Sequence, residues 1–424
     1  MSTYVPSIII GGGQAGLSVS YCLKEHGIDT LIFERHKVAH AWRSQRWDSF
    51  CLVTPNWQCQ LPGFHYEGSD PNGFMVKQDI VTFIEDYSAS FDAPVKEGVE
   101  VTNVRRAGRH YRVSTSIGEF TADSVIVATG GYHTPNIPRI AERLPDRIAQ
   151  IHSSTYKNPD QLPEGAVLVV GSGQSGCQIA EDLHFAGRDV YLSLGSAPRS
   201  PRMYRGKDVV DWLDRMGYYD TPIDSYDNPE QVRKKTNHYL TGRDGGREIN
   251  LRKLAIDGMT LAGRLHRIDG STIQFNRDLQ EKLDSADAVA NSIKATIDRF
   301  IVDNQIDAPL EAPEAALSPP PERDSLDCDA ANISAVIWST GFHANFRWVD
   351  VPVFNGDGYP VHERGVTSED GLYFIGLPWL YTWGSGRMSG VAQDARYLAD
   401  YIAVHQKVSQ SELDCSANIV AIGS

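Results

Sequence analysis

Apolar residues along this chain gather into short β-branched runs, each closed by a glycine-rich turn and followed by a stretch with helical period. Ser7 to Ile10 is one such run. Gly11-Gly12-Gly13-Gln14-Ala15-Gly16 follows it, then a helical stretch to His26, a stop at Gly27, and a second run from Thr30 to Glu34. This order predicts a βαβ unit beginning at residue 7. The same grammar returns at Ala166 to Val170, with Gly171-Ser172-Gly173-Gln174-Ser175-Gly176, a helix through Phe185, Gly187, and a run from Val190 to Ser193. Two nucleotide-type α/β folds, about 160 residues apart, are expected. Ser124 to Gly131 and Ala335 to Phe342 each read as a buried strand ending in a small-residue turn, and each follows one of the glycine units. Leu279, Leu283, Ala286, Ala290, Ile293, Ile297 and Ile301 step by three and four, which predicts one apolar stripe on a helix of about 25 residues. That stripe is read as core, with an oligomer contact as the alternative, so a homo-oligomer stays open. A Pro- and Ala-rich stretch reaching Pro319-Pro320-Pro321 suits a surface loop.

Composition narrows the picture. At 424 residues the chain is long enough for two or three domains of roughly 150 residues. Forty Lys and Arg against 54 Asp and Glu give a net charge of −14, which repels phosphate backbones and anionic lipid, so no nucleic-acid or membrane partner is expected. Met1 to Leu23 carries no charge, but glycines, serines and a glutamine interrupt it from Gly11 and no basic residue precedes it, so it reads as strand, turn and helix. Six scattered cysteines (22, 51, 59, 177, 328 and 415) with no C-x-x-C favour reduced thiols and a cytoplasmic location. No metal-ligand spacing and no nucleophile elbow are present, so no metal is expected.

The glycine loops carry the chemistry. In the strand-to-helix context, Gly11 permits the tight turn, Gly13 lets backbone N–H groups approach a pyrophosphate, and Gly16 lets helix and strand pack closely. Gln14 and Ala15 complete that loop. Glu34, 23 residues beyond Gly11, is placed to accept from a ribose hydroxyl. Gly171, Gly173 and Gly176 take the same parts in the second loop, with Gln174 and Ser175 between them. Its second strand ends in Ser193, which would not repel a 2′-phosphate as an acid would, and Arg199, Arg202 and Arg205 follow as candidate phosphate partners. The first loop is most simply an FAD site and the second an NADP(H) site.

With these residues in place the chain resembles the class B flavin-dependent monooxygenases, the flavin-containing monooxygenase group that includes the plant YUCCA enzymes. Ala41-Trp42-Arg43 with Trp47-Asp48-Ser49 is similar to a family segment at the flavin, and Cys59-Gln60-Leu61-Pro62 to a stretch of the YUCCA branch. Ala128-Thr129-Gly130, Ser339-Thr340-Gly341-Phe342, and Gly371 to Gly376 resemble, in turn, the flavin-domain turn, the linking motif and the late flavin strand. The helix after Gly390, with Gln393, Asp394 and Ala395, is similar to the closing helix at the flavin ring. The resemblance therefore adds Trp42, Arg43, Thr129, Gly130, Thr340, Gly341 and Gly376 to the expected cofactor contacts. Of the family's identifying motif only His152 and Tyr156 survive, with Asp146 and Ile148 at its Phe and Gly. Gly195 stands where the family commonly has an arginine, so Arg199 or a neighbour is expected to meet the 2′-phosphate.

The architecture implied has residues 1–158 binding FAD, residues 159–338 binding NADP(H), and 339–424 returning to the FAD unit: two Rossmann-like domains, the second inserted into the first. The activity implied is NADPH-consuming monooxygenation of a small organic molecule by O₂, through a C4a-(hydro)peroxyflavin, at an electron-rich nitrogen or sulfur or at a carbonyl carbon. Asn56 and Gln60 are the candidate catalytic groups. Trp57, Trp379, Tyr381 and Trp383 fit either the flavin surround or an interdomain core, and His152 reads as a junction residue. Two alternatives stand beside this. A pyridine-nucleotide–disulfide reductase would need a redox cysteine pair, for which only Cys51 and Cys59 are close in sequence. A redox sensor would hold FAD and NADP(H) without turnover.

Overall fold

The computed structural model describes residues 2–312 and 317–422, so part of the Pro- and Ala-rich stretch lies outside the described residues. The chain opens with β1 (Ser7–Ile10), α1 (Gln14–Glu25) and β2 (Thr30–Glu34), the βαβ unit that the pattern predicts. Every residue of β1 is buried, as befits a strand covered on both faces. β3 (Val95–Glu97) and β4 (Ser124–Val127) join it. Between these two, strands Val101–Ala107, His110–Thr115 and Gly118–Ala122 form an antiparallel layer that covers one face of the parallel sheet. Alternation then sorts the side chains. Ile8, Ile10, Val125 and Val127 pack with Val104, Tyr111 and Val113 of that layer. Ile9 and Ile126 face the other way, toward Leu17 and Leu23 of α1.

A second parallel sheet is built from β5 (Ala149–His152), β6 (Ala166–Val170), β7 (Val190–Ser193), β8 (Thr260–Ala262) and β9 (Ile333–Trp338), with α2 (Gln174–Phe185) between β6 and β7. Its order is β5-β9-β6-β7-β8. β5 precedes residue 158 yet pairs with β9, from Ala149 beside Ala335 to His152 beside Trp338, so the second sheet begins earlier than the sequence suggested. The helix α3 (Leu279–Asp303) runs unbroken over 25 residues. Its stripe is covered by this chain: Leu279, Leu283 and Ala286 join the core of the second unit, and Ile297 and Ile301 pack with Val209 and Trp212.

β10 (Leu372–Phe374) then returns to the first sheet, where it lies beside β4 and completes the order β10-β4-β1-β2-β3. The closing helix α4 (Val391–Ile422) sets Val391, Ala395, Leu398 and Ile402 against α1. Among the described residues, no helix is long and apolar enough to cross a membrane.

Candidate functional site

At the first loop each glycine meets a different demand. Gly11 has φ +113°, and a Cβ there would come within 2.7 Å of the Ala128 carbonyl oxygen. A Cβ on Gly16 would lie 2.0 Å from the Gly11 carbonyl oxygen. Gly13 differs, since a Cβ there would meet nothing within 4 Å. It is also the N-cap of α1 and has no side-chain cap, so no N-cap side chain takes up the first N–H groups of the helix. That is the cradle an anionic pyrophosphate fits. Glu34 accepts from the Gly12 N–H at 2.7 Å and the His36 N–H at 2.8 Å, and its carboxylate retains lone pairs for a ribose hydroxyl.

Neighbouring segments close around this loop. Gln14 accepts from the Trp42 indole at 3.2 Å and donates to the Gly386 carbonyl at 3.1 Å. Gly376, with φ +81°, sits against Ala15. Thr129 contacts the His133 ring, and Gly130 turns with φ +70°. Arg43 departs from expectation. On the short helix His40–Ser44 successive side chains diverge by about 100°, so Trp42 faces the loop while Arg43 pairs with Glu85 at the surface. The arginine that stays near Trp42 is Arg46, its guanidinium 5.1 Å from that ring and 5.5 Å from Phe50.

The second loop repeats the geometry. Gly171 has φ +102° and approaches the Ser339 carbonyl, and a Cβ on Gly176 would lie 1.8 Å from the Gly171 carbonyl oxygen. A Cβ on Gly173, the uncapped N-cap of α2, would meet only the Thr236 methyl, at 3.9 Å. Gln174 and Ser175 open the helix, with Ser175 exposed. Ser193 is buried, donating to the Gly263 carbonyl at 2.9 Å and accepting from the Leu265 N–H at 3.0 Å. Arg199 corrects the sequence reading. It is 4% exposed and held by Glu248 at 3.0 Å and Asp287 at 3.3 Å, two acids distant in sequence, so its charge is spent inside the fold. Arg202 is likewise buried, paired with Asp208 at 2.6 Å, and Arg205 pairs with Asp298 at 2.8 Å.

The two candidate catalytic amides also lie elsewhere than expected. Asn56 is buried with its amide committed to backbone, donating to the Asp70 carbonyl at 2.9 Å and accepting from the Met75 N–H at 2.8 Å. Gln60 is exposed and donates to the Trp57 carbonyl. Both are bracing groups. His152 does join the two units: its Nε2 is 3.0 Å from the Gly341 carbonyl oxygen, its Nδ1 is 2.9 Å from the Ser154 hydroxyl, and burial pulls its pKa down. Thr340 donates to the Asn136 carbonyl across the same junction. Trp379 packs edge-on to Tyr226, and Trp383 tilts against Tyr219, so these aromatics bridge the returning segment to residues 218–232.

One functional candidate escaped the sequence reading. Arg387 lies over the Trp383 ring at 4.0 Å and donates to the Asn237 side chain at 3.0 Å, and desolvation lowers its pKa. Its neighbour Gly386 touches Gln14 of the first loop, while Asn237 follows Thr236, which faces Gly173 of the second. Two consecutive residues therefore span from one glycine loop to the other. Only the glycine-rich character of residues 384–390 hinted at such a close passage.

Comparison with known proteins agrees with this architecture. The pyridine nucleotide-disulphide oxidoreductase family matches residues 8–252, and the chain belongs to that family. An uncharacterized CzcO-like oxidoreductase of Geobacillus kaustophilus is 34% identical over 96% of this chain and 100% of its own length. The probable indole-3-pyruvate monooxygenase YUCCA4 of Arabidopsis thaliana is 33% identical over 42% of this chain and 44% of its own. In fold, the flavin-containing monooxygenase of Stenotrophomonas maltophilia superposes with a TM-score of 0.65 at 19% identity, covering 95% of this chain and 99% of that one. The family is one of enzymes, and these likenesses support the flavin-dependent monooxygenase resemblance read from the motifs.

Proposed function

We propose that the chain binds FAD at the first glycine loop and NADP(H) at the second, and oxygenates a small organic molecule. The balance is NADPH, a proton, O₂ and substrate giving NADP⁺, water and a product that carries one more oxygen atom. The observation that carries this reading is the span from Gln14 through Gly386 and Arg387 to Asn237, which ties the segments beside two uncapped helix N-termini to each other. The backbone N–H groups of Gly13 to Gly16 and of Gly173 to Gly176 would hold the two pyrophosphates, and Glu34 a ribose. Bound FAD supplies hydride acceptance from the nicotinamide and activation of O₂. The chain's own part is to orient both dinucleotides and exclude water: Trp42 braces Gln14 of the first loop, the desolvated Arg387 stacks on Trp383 and bonds Asn237, and no acid–base dyad is required of them.

The substrate is read as a small molecule oxidised at nitrogen, sulfur or a carbonyl carbon. A tertiary amine, an organic sulfide, a ketone and indole-3-pyruvate, each supplied with NADPH and ¹⁸O₂, test this directly. One labelled oxygen in a product supports the reading. Hydrogen peroxide accounting for all oxygen consumed with every compound counts against it.

The family name keeps a disulfide reductase in view. Against it, Cys51 and Cys59 are both free and buried, and burial raises both thiols, Cys59 to about 12. Buried thiols of that kind are inert rather than redox-active.

A further inference from the structure

If the second loop holds NADP(H), something must meet the 2′-phosphate at the end of β7. That group would lie beside Ser193, Leu194 and Gly195, and the arginine that follows in sequence is committed to Glu248 and Asp287. Gly195 itself contributes no side chain. Its N–H donates to the Ser172 hydroxyl of the second glycine loop at 2.9 Å, so it lies at the rim of the dinucleotide cradle.

The neighbouring strand supplies what β7 lacks. β7 and β8 run parallel with Ser193 beside Ala262, and the Leu194 N–H donates to the Ala262 carbonyl at 2.9 Å. Beyond Ala262 the ladder ends, since the Arg264 N–H turns to Asp278, and it is the Ser193 side chain that keeps residues 263–265 at the end of β7. The Ser193 hydroxyl fixes the turn there, since it bonds Gly263 and Leu265, the residues on either side of Arg264. Arg264 is exposed and makes no ion pair among the described residues. Its backbone is pinned as well, with its N–H donating to Asp278 at 2.9 Å and its carbonyl accepting from the Asn276 N–H at 2.8 Å. The nearby acid Asp278 is already faced by Lys282 at 3.6 Å. Space is available, because a Cβ on Gly195 would meet nothing nearer than the Ser172 atoms at 3.9 Å.

We propose that Arg264, held by the Ser193 hydroxyl's bonds to its two neighbours at the end of β7, is the residue that recognises the 2′-phosphate of NADP(H). The inference rests on the NADP(H) reading above and deepens it. Ser193 acts as a positioning residue, holding the turn that presents the guanidinium, and Gly195 leaves the room into which it reaches. A guanidinium and a phosphate form charge-assisted, bidentate hydrogen bonds, which NADH cannot supply.

The test compares the full-length, flavin-loaded protein with Arg264→Ala, with Arg277→Ala as a control for losing one exposed charge nearby, and with the double variant Gly195→Arg/Arg264→Ala. Michaelis constants for NADPH and NADH are measured, together with direct calorimetric binding of 2′,5′-ADP, which needs no turnover. Arg264→Ala should raise the NADPH constant about ten-fold or more, abolish 2′,5′-ADP binding and leave NADH unaffected. Arg277→Ala should change neither by more than about two-fold. The double variant should recover much of the NADPH preference, because it returns a guanidinium to the same place from the other strand. A wild-type preference for NADPH that survives in Arg264→Ala, or that disappears in Arg277→Ala instead, overturns the assignment. Wild-type protein that uses NADH equally well and does not bind 2′,5′-ADP overturns the NADP(H) reading itself.

Discussion

Gly376 and Ala15 stand so close that a Cβ on the glycine would lie 2.7 Å from that of the alanine. The late return of the chain is thereby locked onto the first turn of α1. Gly376→Ala would face this clash and a φ of +81° together. The expected loss is about 2 to 4 kcal/mol of stability, read by urea unfolding.

Gly13 offers the opposite case, since a Cβ there meets nothing. Gly13→Leu should therefore fold with an unchanged melting temperature in the flavin-free state and yet retain no flavin, as judged by visible absorbance per chain. A folded, fully yellow Gly13→Leu protein would show that the first loop is not the FAD cradle.

Asp394, in the first turn of α4, is 1% exposed, and only the Ser385 hydroxyl and the Arg364 charge act to favour its ionised form against that burial. Burial raises its pKa from 3.8 to about 6. Because the folded value exceeds the unfolded one, ionisation works against folding: the penalty is absent below about pH 4, grows to about pH 6 and is constant above. Asp394→Asn should therefore raise stability by roughly 2 to 3 kcal/mol at pH 8 and leave it unchanged at pH 4. Thermal melts across that range decide the matter, and equal effects at both pH values would refute it.

Arg202 ties the second unit to the first. It donates to the Val53 carbonyl at 2.6 Å, pairs with Asp208 at 2.6 Å and lies over the Phe74 ring at 4.1 Å. Arg202→Ala leaves the partly buried Asp208 carboxylate with only its helix-capping bond from the Val210 N–H and should lower stability by about 2 to 4 kcal/mol. Replacing both Arg202 and Asp208 with Leu should be milder than the single change, measured by urea unfolding.

Cys51 and Cys59 should play no redox part. The double variant Cys51→Ser/Cys59→Ser should keep NADPH oxidation within about two-fold of wild type, since buried thiols with raised pKa contribute no thiolate. Loss of turnover in a folded, flavin-loaded variant would put the reductase reading ahead of the monooxygenase one.

The glycine loops were legible in the sequence because their demands are local: a turn at Gly11, an open N-cap at Gly13 and a close approach at Gly16 lie within six residues. The apolar stripe of α3 was legible for the same reason, since period alone sets its buried face. Side-chain commitments made across the fold were not. Arg199 is taken up by Glu248 and Asp287, and Asn56 by backbone at residues 70 and 75. Arg43 and Arg46 are three residues apart, and the turn of a short helix decides which one stays with Trp42. Arg387 and Arg264 carry no motif at all, and only strand register and the folding-back of residues 384–390 place them.

The pairing of Val125 with Leu372 has a consequence for the order of assembly on the ribosome. β1, β2 and β4 emerge early, but their sheet keeps an unfinished edge beside β4 until β10 has been made. The whole second sheet, from β5 to β9, is synthesised in that interval and depends on no strand of the first. It can close while the first sheet still waits. The nascent chain should thus acquire its second cradle before its first is sealed, and during that interval the exposed edge of β4 is the place where a chaperone or a stray strand would bind.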